Sequence, residues 1–213
     1  VILNEFRTSL WFQIGITAVT GIALGLFSHA SSALPGAWRW VGNFGALWLA
    51  VSFLLGRQLP SLLPAALSGA AALAVASVMH YVPHRMAREG MTLNTFRWPV
   101  ALWAFVGIVV GAAFGMLGAA HARRWAVAST VGMGLLVAAF AGEAFVLWRT
   151  GHPKAVEVAV PLETIVALSL PIFCARSAAE RIKIFGSAVL MFPVVVLGLS
   201  AFMGVIHRVY PGI

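Results

Sequence analysis

Of the 213 residues, 61% are hydrophobic and only 9% are charged, and the mean hydropathy is +0.95. A soluble domain carries about 25% charged residues, so a single water-soluble core is excluded. The net charge of +8 sits almost wholly between apolar runs, where it sets topology and attracts anionic lipid, and no soluble module is left to read nucleic acid.

Repeated apolar runs of about 20 residues predict an all-α polytopic transmembrane bundle, one domain over residues 1–213. Period-2 strands are absent, which argues against a β-barrel. Cys174 is the one cysteine, so no intrachain disulfide forms, and its apolar setting reads as a small buried residue. No A-x-A site follows the first apolar run, so no cleavable signal peptide is expected.

The first predicted helix runs from Leu10 to Ser28 and ends at His29. Gly21 and Gly25 give it a GxxxG face that lets two backbones approach closely, within the bundle or against a partner subunit. Pro35-Gly36 marks the loop that follows. The second helix, Trp40 to Gly56, is short for a span; Trp38, Trp40 and Trp48 suggest an interfacial belt and place Asn43 near the head groups. The third runs from Pro60 to Tyr81. Pro83 biases Val82 out of the helix, so His80 and His84 need not share a face, and the loop to Arg97 is the longest.

Trp98 to Ala120 forms the fourth helix, whose Gly107, Gly111 and Gly115 predict a tightly packed central position. The fifth runs from Trp125 to Trp148 and the sixth from Val156 to Ala175. Pro161 fits the first turns of the sixth, and Pro171 is expected to kink it. Arg176 to Lys183 reads as a basic turn before the seventh helix, Ile184 to Ile206, in which Pro193 marks a further kink. About seven spans result, with echoes such as Ala46-Leu47-Trp48 and Ala101-Leu102-Trp103 that suggest three helical hairpins after the first helix. Lys and Arg divide evenly between the two faces. The denser short turns (Arg57; Arg123 and Arg124; Arg176, Arg181 and Lys183) favour a cytoplasmic N-terminus in a bacterial inner membrane.

Glu143 and Glu163 carry the functional signal. Each lies about six residues, roughly 9 Å, inside its helix end on either side of the turn at Pro153, so an antiparallel pair sets them at one depth. A carboxylate there costs about 2–3 kcal/mol without a partner, and no intramembrane Lys or Arg is present to supply one. Facing each other, the two acids can share a proton. His29, His80, His84, His152 and His207 fall on the same membrane face, with Asn43 and Tyr81. Side chains of these types hold a cation, exchange a proton or bond a polar solute.

Three other chemistries lack their residues. A retinal Schiff base needs a Lys deep in the last helix, and Lys183 is at its edge. A haem bundle needs histidines in facing helix interiors. Intramembrane proteolysis needs a Gly-x-Ser context with a His in another helix, a pattern that Gly186-Ser187 lacks, or HExxH or a membrane Asp pair, neither of which occurs. An intramembrane enzyme using the two acids as acid and base ranks last, and no motif names a cofactor or a metal.

The run Asn43 to Gly56 and the patch Ala141-Gly142-Glu143-Ala144 resemble an uncharacterised family of small bacterial membrane proteins, common in high-GC actinobacteria, which implies no known activity. The size and the polar cluster also look like the substrate-binding subunits of energy-coupling-factor vitamin importers. Those subunits usually have six spans. The leading expectation is a membrane protein that binds or transports a small solute or cation, with Glu143 and Glu163 as ligands and Asn43, His80 and Tyr81 lining the entrance. The alternative is a structural or accessory subunit of a larger membrane complex, docking through Gly21 and Gly25 or through Gly107, Gly111 and Gly115.

Overall fold

The first apolar run folds as α1, Leu10–Ser32, one turn longer than its sequence predicts. Ala33 N donates to Ala30 O at 3.1 Å and Leu34 N to Ser31 O at 2.9 Å, closing a turn that sends the chain back along α1. A 3-10 helix, Gly36–Asn43, follows, and then α2, Gly45–Arg57. The remaining helices are α3 (Leu62–Ala87), α4 (Leu93–Ala122), α5 (Ala126–Thr150), α6 (Pro153–Cys174) and α7 (Ala178–Val209). The computed structural model describes residues 10–87, 93–150 and 153–209.

Six of these helices, all but α2, are long and apolar enough to cross a membrane, so the chain is a multi-pass membrane protein. Helix α2 has 13 residues and reaches only about 20 Å, against roughly 30 Å of hydrocarbon. The single helix expected over Trp40–Gly56 is divided at Phe44, whose backbone is extended (φ −67°, ψ 118°). The 3-10 segment adds roughly 16 Å of rise. Only together do the two pieces have the length of a span.

Local sequence explains the division. Pro35 is extended, with φ −72° and ψ 151°, and Gly36 takes φ 63°, a value that costs other residues 1–2 kcal/mol or thereabouts. Gly42 then packs against α1 so closely that an added Cβ would collide with Ser31 Oγ and Ser28 Cα. Its amide donates to Ser31 Oγ at 3.1 Å. Trp48 Nε1 donates back to Gly42 O at 3.2 Å and ties the two pieces together.

Contacts between helices give their directions. Gly21 and Gly25 of α1 meet Ala72 and Ala76 of α3, so α1 and α3 run parallel. Gly107, Gly111 and Gly115 of α4 meet Leu73, Gly69 and Ala65, so α3 and α4 are antiparallel. Ser52 Oγ donates to Gly111 O at 2.7 Å and Gly56 lies on Gly115, which sets α2 parallel to α4. Gly134 and Gly142 of α5 meet Ser187 and Val195 of α7, another parallel pair. The chain alternates in direction from helix to helix, α2 included.

Two expectations are corrected by the packing. The three hairpins expected after the first helix (α2 with α3, α4 with α5, α6 with α7) are not the broad interfaces, which are α3 on α4, α5 on α7, α1 on α3, α2 on α4 and α5 on α6, while α6 and α7 barely touch. Small residues mesh parallel helices that are not neighbours in sequence. Helix α4 is not the central one either, since its glycine face is covered but Phe105, Ile108, Val109 and Met116 are exposed. The most enclosed helix is α5, with 56% of its span buried against 22% for α4; its Met133, Leu136, Val137 and Phe140 anchor the main apolar core.

Helix ends move as well. Helix α3 runs through Pro83 to Ala87, because a proline there removes only the donor to the Met79 carbonyl. Helix α4 begins at Leu93, which shortens the loop expected to be longest. Residues 178–183, expected as a basic turn, are the start of α7. Ser177 Oγ accepts from Glu180 N at 3.1 Å and Glu180 Oε2 accepts from Arg176 N at 2.8 Å, a Ser-x-x-Glu pairing that starts the helix early.

Candidate functional site

The first amides of α2 have no intrahelical acceptor. The residue before it, Phe44, offers no side-chain cap. The acceptor comes from α5 instead. Gly45 N donates to Glu143 Oε1 at 2.9 Å and Ala46 N to Glu143 Oε2 at 2.7 Å. An ionised carboxylate is acceptor-only and fits both donors at once, and the positive end of the helix dipole favours it there. Glu143 is therefore the cap of a broken helix.

Glu163 lies on α6, one turn beyond Ala159, which packs with Phe44 in a small apolar cluster. It is 1% exposed. Among the described residues its two oxygens find no donor, and the Glu143 carboxyl is its close neighbour and the only charged group acting on it. Two ionised carboxylates offer each other acceptors alone. A single proton between them turns the contact into a hydrogen bond from Glu163 to Glu143. The pair lies against a helix N-terminus, with no cation among the described residues acting on Glu163.

A polar cluster flanks the other side of the same break. Ser28 Oγ donates to Asn43 Oδ1 at 2.8 Å and is 3.0 Å from His80 Nδ1. Ser28 has one proton and gives it to Asn43, so His80 Nδ1 is the donor in the second bond. Asn43 Nδ2 donates to Ser32 Oγ at 3.2 Å and to Arg39 O at 3.3 Å. The His80 ring meets Tyr81 edge-on at 4.8 Å between centroids and His29 at 6.5 Å. Asn43 precedes Gly45 by two residues, so the 3-10 segment joins this cluster to the acids.

Of the residues singled out in the sequence, Glu143 and Glu163 come together, and Asn43, His80 and Tyr81 form the second group with His29. His152 lies outside the described residues, as do the side chains of His84 and His207. Among the described residues no three metal-ligating side chains converge. Sequence reading missed Ser28, which bridges α1, the 3-10 segment and α3. It also missed the Gly45 and Ala46 amides, although Asn43-Phe44-Gly45 without a capping side chain after it was a visible sign of a break.

A family model matches residues 5–206. The chain belongs to DUF6518, a family of unknown function. It matches no curated protein and no solved structure. The range matched to DUF6518 contains the broken helix, both acids and the whole polar cluster. In chemical terms, this DUF6518 site offers two carboxyl groups at a helix break, with hydroxyl, amide and imidazole groups on its other side.

Proposed function

We propose that the protein binds a proton or a small monovalent cation at the Glu143–Glu163 pair and moves it across the membrane. The observation that supports this reading is Glu163: a buried acid that finds no donor and no cation among the described residues, beside a carboxylate fixed on two amides. Intramembrane acids of this kind are costly, and discontinuous helices in transporters place their ends at such sites. In the empty state one proton joins the two acids. A small cation replaces it by binding to the Glu163 oxygens as that proton leaves. Lys and Arg density favours a cytoplasmic N-terminus in an inner membrane, with the cluster on the outer face.

Charge displacement on solid-supported membranes tests this. Proteoliposomes should give a transient current on a step in pH, Na⁺ or K⁺, and Glu163→Gln should abolish it. Wild-type currents in Glu163→Gln, or no current with any of the three ions, would sink the proposal.

A second reading, an accessory subunit, is favoured by α7. It is the least enclosed long helix, with 6% of its span buried, and a Cβ added at Gly186, Gly198 or Gly204 would meet nothing. Glycines that pack nothing inside the bundle suit a partner helix outside it. On that reading the likeness to the substrate-binding subunits of vitamin importers supplies the kind of partner, a membrane subunit. Co-purification of a stoichiometric second chain with the tagged protein decides it.

A further inference from the structure

At the opposite end of α5 from Glu143, about 21 Å away along the helix, the ends of α4, α5 and α7 and the turns between helices line an open cavity of about 270 Å³. Arg124, Arg176 and Lys183 line it, against one carboxylate, Glu180. That carboxylate is engaged, since Glu180 Oε2 accepts the Arg176 amide at 2.8 Å. Ser177 accepts from the Glu180 amide, which leaves its own proton to donate into the cavity. The start of α7 adds the positive end of a 32-residue helix. Three cations, hydroxyl donors and a helix N-terminus around one space are the elements of a phosphate site.

The walls are built, not incidental. His121 is buried, and its Nδ1 lies 2.8 Å from Ser129 Oγ, pinning the end of α4 to the start of α5. Among the described residues Arg124 is the one non-glycine with positive φ, 60°. Glycine would adopt that conformation freely, so the guanidinium is held there at a backbone cost. The volume suits a head group more than a drug-sized molecule. Exposed apolar side chains occupy the same turns: Val127, Phe173 and Ile182.

We propose that this cavity binds a phosphate group, carried by an anionic phospholipid whose acyl chains lie along those apolar residues. Basic pockets between membrane helices recognise such head groups by the same chemistry. Free phosphate is the competing source.

The test uses the full chain in nanodiscs, with Arg124→Gly and Arg176→Gln. Arg124→Gly removes the cation and relieves its backbone, so its thermal midpoint should be no lower than that of wild type. In mixed phosphatidylglycerol and phosphatidylcholine, native mass spectrometry should show wild type retaining phosphatidylglycerol. Each variant should hold it roughly tenfold less tightly, the loss of one charge-assisted contact. In phosphatidylcholine alone, inorganic phosphate is added and the thermal midpoint followed. Stabilisation there that both variants lose, without a lipid preference, assigns the site to soluble phosphate. Variants that retain phosphatidylglycerol as wild type does, or a wild type that favours neither ligand, would overturn the proposal.

Discussion

Glu143 and Glu163 are the same residue type at one depth, yet the structure gives them different work. From the sequence, Glu→Gln at either position is expected to remove function and spare the fold. The hydrogen bonds separate the two cases. In Glu143→Gln the amide nitrogen cannot accept from Gly45 or Ala46, so one of these two amides loses its partner at a cost of about 1–3 kcal/mol. In Glu163→Gln the new amide can donate to the Glu143 carboxylate, as a protonated Glu163 would. Thermal unfolding in detergent should therefore show a lowered midpoint for Glu143→Gln and an unchanged one for Glu163→Gln. Equal midpoints would mean that Glu143 does not cap α2. The shared proton has its own readout, a protonated-carboxyl infrared band in wild type that Glu163→Gln removes. The cost of a charge in lipid made both acids legible in the sequence. Their asymmetry was not, because it depends on backbone amides 97 and 98 residues away in the chain.

At the scale of elements, the small residues are where helices meet backbone to backbone. Ser52, Gly69 and Gly111 come together where α2, α3 and α4 cross: Ser52 donates to the Gly111 carbonyl, and a Cβ on Gly111 would collide with Gly69 O. Gly111→Ala should lower stability by about 1–3 kcal/mol, and Gly111→Leu by more, as α3 and α4 are forced apart. Gly15, with nothing within 4 Å of an added Cβ, is the control, and Gly15→Ala should be neutral or slightly stabilising. Equal effects at Gly15 and Gly111 in a denaturation series would remove the seam's role in stability. Four-residue glycine spacing revealed this face in the sequence. It could not show that only one side of α4 is covered, since Phe105 and Ile108 read as apolar whether they meet lipid or protein. The break before α2 was hidden for a related reason: Trp40 to Gly56 is apolar enough for one helix, and its division depends on Gly42 fitting between Ser28 and Ser31 of α1.

For the whole molecule, the question is whether the divided segment crosses the membrane. Apolar run length established the class and six of the crossings. It could not decide the seventh, because the 13 residues of α2 fall below the length that spans. Packing direction decides what length cannot. Helix α2 runs parallel to α4 and opposite to α1 and α3, so the chain must change sides between Ser32 and Arg57. A re-entrant loop would return it to the side it left. Had it done so, α3 would oppose α1, whereas Gly21 and Gly25 step along Ala72 and Ala76 in the same order. Gln58 and Thr150, both exposed, then lie on opposite faces: one follows α2, and the other ends α5 after three further crossings. With Cys174 replaced by Ala, Gln58→Cys and Thr150→Cys should react with a membrane-impermeant maleimide from opposite sides of sealed vesicles. Labelling from the same side would show that the segment re-enters, and would put the Glu143–Glu163 pair at the mouth of a loop instead of within a crossing helix.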